Sequence, residues 1–181
     1  MKRIAAPLVL SLSLLAGAAH ADGINAGIQI EDQITLSDIG LPAYPGAVQM
    51  PTGKGKDDED KSSFGLSLWG GSFGMKLAVL KFRTTDSVDQ VGRFYRDAMG
   101  RYGKVLDCSV TAPSDDDDKA DKKDKKGKMT VSLKCSKDDV KNGKLVIKVG
   151  KDDKHFRLVA IERKDGAVQF DLLNLAINGV D

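Results

Sequence analysis

Residues 86–103 read Asp86-Ser87-Val88-Asp89-Gln90-Val91-Gly92-Arg93-Phe94-Tyr95-Arg96-Asp97-Ala98-Met99-Gly100-Arg101-Tyr102-Gly103. Ser87 followed three residues later by Gln90 is a capping box, in which each side chain satisfies a backbone N–H that a helix start leaves open. Asp86 and Asp89 suit the positive end of the helix dipole. Val88, Val91, Tyr95, Ala98, Met99 and Tyr102 recur at helical spacing, and Phe94 widens the stripe. Arg93, Arg96 and Arg101 lie mostly off it, and Gly103 is a natural stop. A helix over about 86–102 therefore buries one stripe and leaves the rest exposed, which places it on one face of a sheet.

The sheet is written on both sides of this helix. Phe64, Leu66 and Leu68 alternate with Gly65, Ser67 and Trp69. Gly70 to Gly74 turns the chain into Met75–Arg83, apolar enough to be covered on both faces. After the helix, Leu106, Cys108 and Val110 form one apolar face, and Met129, Val131, Leu133 and Cys135 form another. Asn142-Gly143, Lys151–Lys154 and Asp165-Gly166 are turn signals separating Leu145–Val149, Phe156–Arg163 and Ala167–Ile177. The order ββ–α–ββββ predicts an α+β fold: an antiparallel sheet with one main helix packed on one face, in two layers. The segment 22–50 is less regular. Ile24, Ala26, Ile28 and Ile30 alternate, yet the same residues suit the start of a short helix, and Val48–Met50 suits an edge strand.

The N-terminus has the layout of a secretory signal. Lys2 and Arg3 precede the apolar stretch Ile4–Ala16, and Ala19-His20-Ala21 is a small-x-small cleavage site. Cleavage is expected after Ala21, with residues 1–21 as signal, 22–50 as an N-terminal segment and 51–181 as the α+β domain. The stretch is shorter than the roughly 20 residues a spanning helix needs. Ala18 stands where a lipoprotein would carry its lipidated cysteine. These readings predict a periplasmic or secreted protein of a bacterium, with no membrane anchor after cleavage.

The chain has 28 basic and 26 acidic residues, and without residues 1–21 the two signs balance. Nucleic acid is thereby excluded as an expected partner, because phosphate recognition needs an excess of positive charge on one face. Much of the charge sits in loops 51–62 and 114–128, which lack apolar periodicity.

Two cysteines cannot make a disulfide-rich miniprotein or a four-cysteine zinc site. If Cys108 and Cys135 face each other across a hairpin, 110 meets 133, 114 meets 129, and the charged run falls at the tip. In an oxidising compartment they are expected to form a disulfide, contributing about 3–4 kcal/mol.

The candidates for chemistry are few. Ser72 sits in Gly70-Gly71-Ser72-Phe73-Gly74, which matches the G-x-S-x-G elbow of serine hydrolases, with His155 as the base such chemistry would need. That elbow requires a helix after the serine, and here a strand is expected. Asp115–Asp118 is a candidate calcium loop without the alternation and glycine of an EF-hand. Phe94, Tyr95, Tyr102 and Trp69 line either a packed core or a ligand pocket between helix and sheet. No phosphate loop or dinucleotide fingerprint is present, so no cofactor is expected. The favoured expectation is a non-enzymatic module that binds an envelope protein or a small apolar ligand. A small serine hydrolase and a cation-binding protein are the alternatives.

Three segments together resemble a group of small exported bacterial proteins of unknown function. They are Leu41-Pro42-Ala43-Tyr44-Pro45-Gly46-Ala47, the helix start Thr84–Arg96 (T-x-D-S-x-x-x-V-x-x-F-Y-R) and Tyr102-Gly103-Lys104-Val105-Leu106-Asp107-Cys108. The resemblance implies an α+β domain and brings no catalytic residues with it.

Overall fold

The computed structural model describes residues 25–31, 33–50, 63–110, 132–137, 139 and 143–179. Loops 51–62 and 114–128 and the signal-like residues 1–21 lie outside them.

The fold is α+β, an open antiparallel sheet of eight strands with one main helix. The strands are β1 (Ala26–Glu31), β2 (Val48–Gln49), β3 (Ser63–Gly70), β4 (Phe73–Thr84), β5 (Leu106–Asp107), β6 (Leu145–Asp152), β7 (His155–Lys164) and β8 (Ala167–Asn178). Their order is β1-β3-β4-β8-β7-β6-β5, and β2 pairs with the end of β4 beyond β3. Residues 26–49 thus contribute two strands to the same sheet as the rest. Asp165 and Gly166, both at positive φ, make the hairpin turn that their sequence signals.

The main helix, α2, spans Val88–Met99 and continues as a 3-10 turn over Gly100–Tyr102. Its capping box forms as expected: Gln90 N donates to Ser87 Oγ at 3.3 Å, and Ser87 N donates to Gln90 Oε1 at 3.0 Å. Val91, Tyr95 and Met99 are fully buried against Leu80, Phe82, Ile147, Val159, Ile161, Phe170 and Leu172. A Cβ on Gly92 would collide with Leu145, so glycine sets how closely α2 approaches β6. The interior between helix and sheet is filled by Tyr95, Phe170 and the rings around them, so Phe94 and Tyr95 are core rather than pocket lining. Tyr102 and Trp69 are not part of that core, since both are exposed.

The three segments that carry the resemblance interlock. Tyr44 OH donates to Asp86 Oδ2 at 2.6 Å and its ring meets Phe94 edge-on at 5.2 Å. Tyr95 OH donates to the Pro42 carbonyl at 3.3 Å. Arg96, expected to be simply exposed, is half-buried and pairs with Asp107 at 2.6 Å. Burial alone would raise the Asp107 pKa, but hydrogen bonds from Ser109 and Arg96 hold it below the ordinary carboxylate value.

A four-residue helix, α1 (Leu36–Ile39), also lies on the helix side and was not foreseen. Its carbonyl end is tied down by the sheet: Arg157 Nε donates to the Ile39 carbonyl at 3.0 Å, and Asn174 Nδ2 to the Asp38 carbonyl at 2.8 Å. Tyr102 OH donates to the Gly40 carbonyl, and Arg157 lies over the Tyr102 ring.

The Cys108–Cys135 disulfide is present, with Cα atoms 5.3 Å apart. The hairpin register expected around it is not. Leu106 and Asp107 pair with Lys148 and Ile147 of β6, and Ser132–Cys135 forms no strand. Val110, expected on an apolar face, is 83% exposed. The partners Met129 and Val131 lie outside the described residues. The physical reason is that side chains replace the ladder. The buried Lys148 ammonium donates to the carbonyls of Ser132 at 2.9 Å and Lys134 at 2.6 Å, and pairs with Asp139 at 2.7 Å. Asp153 Oδ1 accepts from Leu133 N at 2.7 Å.

Candidate functional site

Alternation along a strand sends successive side chains to opposite faces, so the register fixes what each face carries. On the face away from α2, three rows of apolar side chains run across the sheet. The longest crosses five strands: Ile30, Leu66, Leu77, Leu175 and Phe156. Beside it run Ile28, Leu68, Met75 and Ile177 on one side, and Phe64, Val79, Leu173 and Leu158 on the other.

Only one corner of these rows is covered among the described residues. There, Leu133 packs against the cluster centred on Phe156, Leu173 and Leu175. The disulfide and Lys148 hold that covering segment in place, with Cys108, Cys135 and Val146 packed together beneath it. Toward β1 the cover ends, and Ile28 and Ile30 are 73% and 71% exposed.

Beyond the reach of α1 and α2 the helix side of the same strands is mostly polar, with the exposed Trp69 ring over Gly27 as the exception. Gln29, Ser67 and Lys76 stand there, Ser67 Oγ donates to Glu31 Oε1 at 3.3 Å, and Lys76 pairs with Asp38 at 2.8 Å. That pairing, together with hydrogen bonds from Thr35, holds the Asp38 carboxyl well below the ordinary range. β1 and β3 are therefore patterned with their apolar side turned away from the helix.

Charge borders the rows at one end. Lys81 and Asp171 are cross-strand partners, and Lys144 pairs with Glu162 at 3.1 Å. These residues line a cleft of about 170 Å³. Burial pushes the Asp171 carboxyl above its ordinary value, Lys81 opposes this, and Glu162 adds to it. At the other end a concavity of about 310 Å³ is lined by Tyr102, Lys151, His155, Arg157, Asn174 and their neighbours. Neither lies between α2 and the sheet.

The residues singled out for chemistry are placed as follows. Ser72 is exposed on the two-residue turn joining β3 to β4, so a strand follows it and the strand-turn-helix of a nucleophile elbow is not formed. His155 begins β7 at the same end of the sheet, with β8 between it and β4. Its ring nitrogens each lie 3.1 Å from an oxygen, Nδ1 from Asp152 and Nε2 from Asn178. Neither nitrogen is turned to a serine. Asp115–Asp118 lies outside the described residues. Among the described residues no group of three His, Cys, Asp or Glu side chains is placed to hold a metal ion.

Four of the five strands that bear the rows are legible in the sequence, while Ile24–Ile30 suits either a strand or a short helix and resolves into β1. The signal for the rows was available in Phe64–Leu68, where apolar residues alternate with glycine and serine. What it could not give was the side of the sheet on which the helix would sit.

Compared with protein-family models, curated protein sequences and solved structures, the chain matches none.

Proposed function

We propose that this chain is an exported, non-enzymatic interaction module of the bacterial envelope, whose docking surface is the apolar face turned away from α2. The observation that carries the reading is the unbroken set of rows from Ile28 and Ile30 to Phe156, exposed at its β1 edge, half-buried across β3 and β4, and buried at Phe156, Leu173 and Leu175. Contiguous apolar patches of several hundred Å² on a folded chain mark interaction sites, because leaving them in water forfeits about 25 cal/mol for each Å². Export is supported by the Cys108–Cys135 bridge and by the signal-like layout of residues 1–21. The resemblance to small exported bacterial proteins rests on the segments quoted above and fits the same reading.

The test uses an apolar dye, 1-anilinonaphthalene-8-sulfonate, on the folded, oxidised chain. The dye is expected to bind dilute protein and brighten, and Leu68→Lys is expected to reduce that signal while melting stays cooperative. Dilute, folded protein that leaves the dye dark would contradict the reading. For the hydrolytic alternative, Ser72→Ala is expected to leave p-nitrophenyl acetate turnover at the wild-type background. A tenfold or larger drop would reopen it.

A further inference from the structure

We propose that the concavity beside Tyr102 binds a small organic carboxylate, which Arg157 and Lys151 hold by its charge and Tyr102 by its body. The site is separate from the apolar rows and does not depend on their role. Arg157 and His155 share the strand parity of Val159 and Ile161, which are buried on the helix side, so both side chains rise on that side. Asn174, cross-strand from Arg157, stands with them. Lys151 is the extra residue of a bulge, since Gly150 pairs with Phe156 and Asp152 with His155. A bulge re-aims the side chain it carries, and Lys151 lines the concavity.

The Arg157 guanidinium is fixed by the fold itself. Its Nε donates to the Ile39 carbonyl at 3.0 Å, and Cζ lies 4.2 Å from the centre of the Tyr102 ring, whose hydroxyl donates to the Gly40 carbonyl. A Cβ on Gly40 would fall 2.8 Å from Arg157 Nη2, so glycine there leaves room for the end of the fork. These contacts use Nε and one face of the guanidinium. The two Nη groups have no acceptor among the described residues, and Lys151 has no carboxylate partner among them. Asp152, the carboxylate of the same hairpin, is engaged within it: Oδ1 lies 3.1 Å from His155 Nδ1 and accepts from Lys154 N at 2.9 Å.

Two cations without a counter-charge at one concavity select an anion. The end of a guanidinium is a planar pair of donors that matches the two oxygens of a carboxylate. Asp152 beside the site disfavours a second negative charge on the ligand, which sets a carboxylate above a phosphate dianion. The volume of about 310 Å³ is at the lower end of small-molecule sites and suits a ring-sized acid rather than a length of chain. Tyr102, 43% exposed, and Ala176 give that ring apolar surface. A guanidinium already held in place loses little freedom on binding, so its charge acts at low entropic cost.

The experiment follows amide proton–nitrogen correlation spectra of the folded, oxidised chain at constant ionic strength. The probes are sodium benzoate, benzamide as its neutral counterpart, and inorganic phosphate. Benzoate is expected to move the Tyr102, Lys151 and Arg157 signals to saturation with a Kd of about 1 mM. Benzamide should leave them in place, and phosphate should bind about tenfold more weakly than benzoate. Lys151→Ala, at an exposed position, should weaken benzoate about tenfold. Arg157→Lys keeps the charge but not the fork, and should weaken it at least as much. Shifts that never saturate, an equal response to benzamide, or a Kd unmoved by Lys151→Ala would each overturn the site. Phosphate binding more tightly than benzoate would overturn the choice of a carboxylate.

Discussion

On the helix side, beyond α2 and α1, the sheet is mostly polar, with Trp69 the exposed exception among the described residues; on the opposite side, apolar rows run out to an exposed edge at Ile28 and Ile30. Gln29, Ser67 and Lys76 occupy the first kind of position, and Ile28, Leu68 and Met75 the second. The helix side is thus largely closed, with most of its apolar residues under Val91, Tyr95 and Met99 and polar residues over most of the remainder. The opposite side is patterned as half of a core. Composition alone would not separate them, because the two kinds of residue alternate along the same strands.

The largest expected effect compares one residue from each side. Phe170 is buried beneath α2 and stacks on Phe82 at 5.5 Å, so Phe170→Ala should cost about 3–5 kcal/mol in denaturant unfolding. Leu66→Ala on the opposite face should cost less than about 1 kcal/mol in dilute protein, where the position is only half-covered. Equal costs would dissolve the contrast between the faces.

Next is the covered corner. Replacing Cys108 and Cys135 together by serine removes a bridge across a sequence separation of 27 and should lower stability by about 3–4 kcal/mol. It should also loosen the segment bearing Leu133, so hydrogen exchange should rise at Leu133–Cys135 before it rises in β8. Exchange that rises uniformly would mean that the bridge does not act on this corner.

A smaller effect belongs to the helix. Ser87→Ala removes the side chain that accepts from Gln90 N and should cost about 1 kcal/mol by thermal or chemical melting. No loss would show that the packed stripe alone holds α2 in place.

The last prediction is one of sign. Burial raises the Asp171 pKa, so the folded state binds its proton more tightly than the unfolded one does. Stability from this group is greatest below the ordinary value of 3.8 and is lost as pH rises through the folded value. Asp171→Asn should therefore melt higher than the parent at pH 7, and the difference should vanish toward pH 3. A gain that persists unchanged at pH 3 would remove the carboxylate's charge as its cause.

How much of this could be read from the chain depended on how local the signal was. The capping box and apolar stripe of 86–102 are contained within a few turns, and α2 lies where they put it. The Asp165-Gly166 hairpin was equally legible, because its turn demands positive φ at both positions. The disulfide followed from the compartment and from apolar placement of both cysteines, but its expected hairpin did not form. That misreading came from Lys148, which looks in the sequence like an ordinary outward lysine and is instead 3% exposed, holding backbone carbonyls of Ser132 and Lys134. A buried lysine acting in place of a ladder has no local signature. α1 escaped for a simpler reason, since four residues cannot display a helical period. The candidate surface was half legible: alternation in β3 gave its rows, and tertiary packing alone decided which side α2 would leave open.

The contrast between the faces is tested most directly by two methionines, Met99 fully buried beneath α2 and Met75 half-buried in the rows. Oxidation by dilute peroxide, read by mass spectrometry of peptides, should spare Met99 at every protein concentration. Met75, only half-buried in the rows, should be oxidised in the folded protein under the same conditions. Met75 as inert as Met99 in dilute, folded protein would contradict the account.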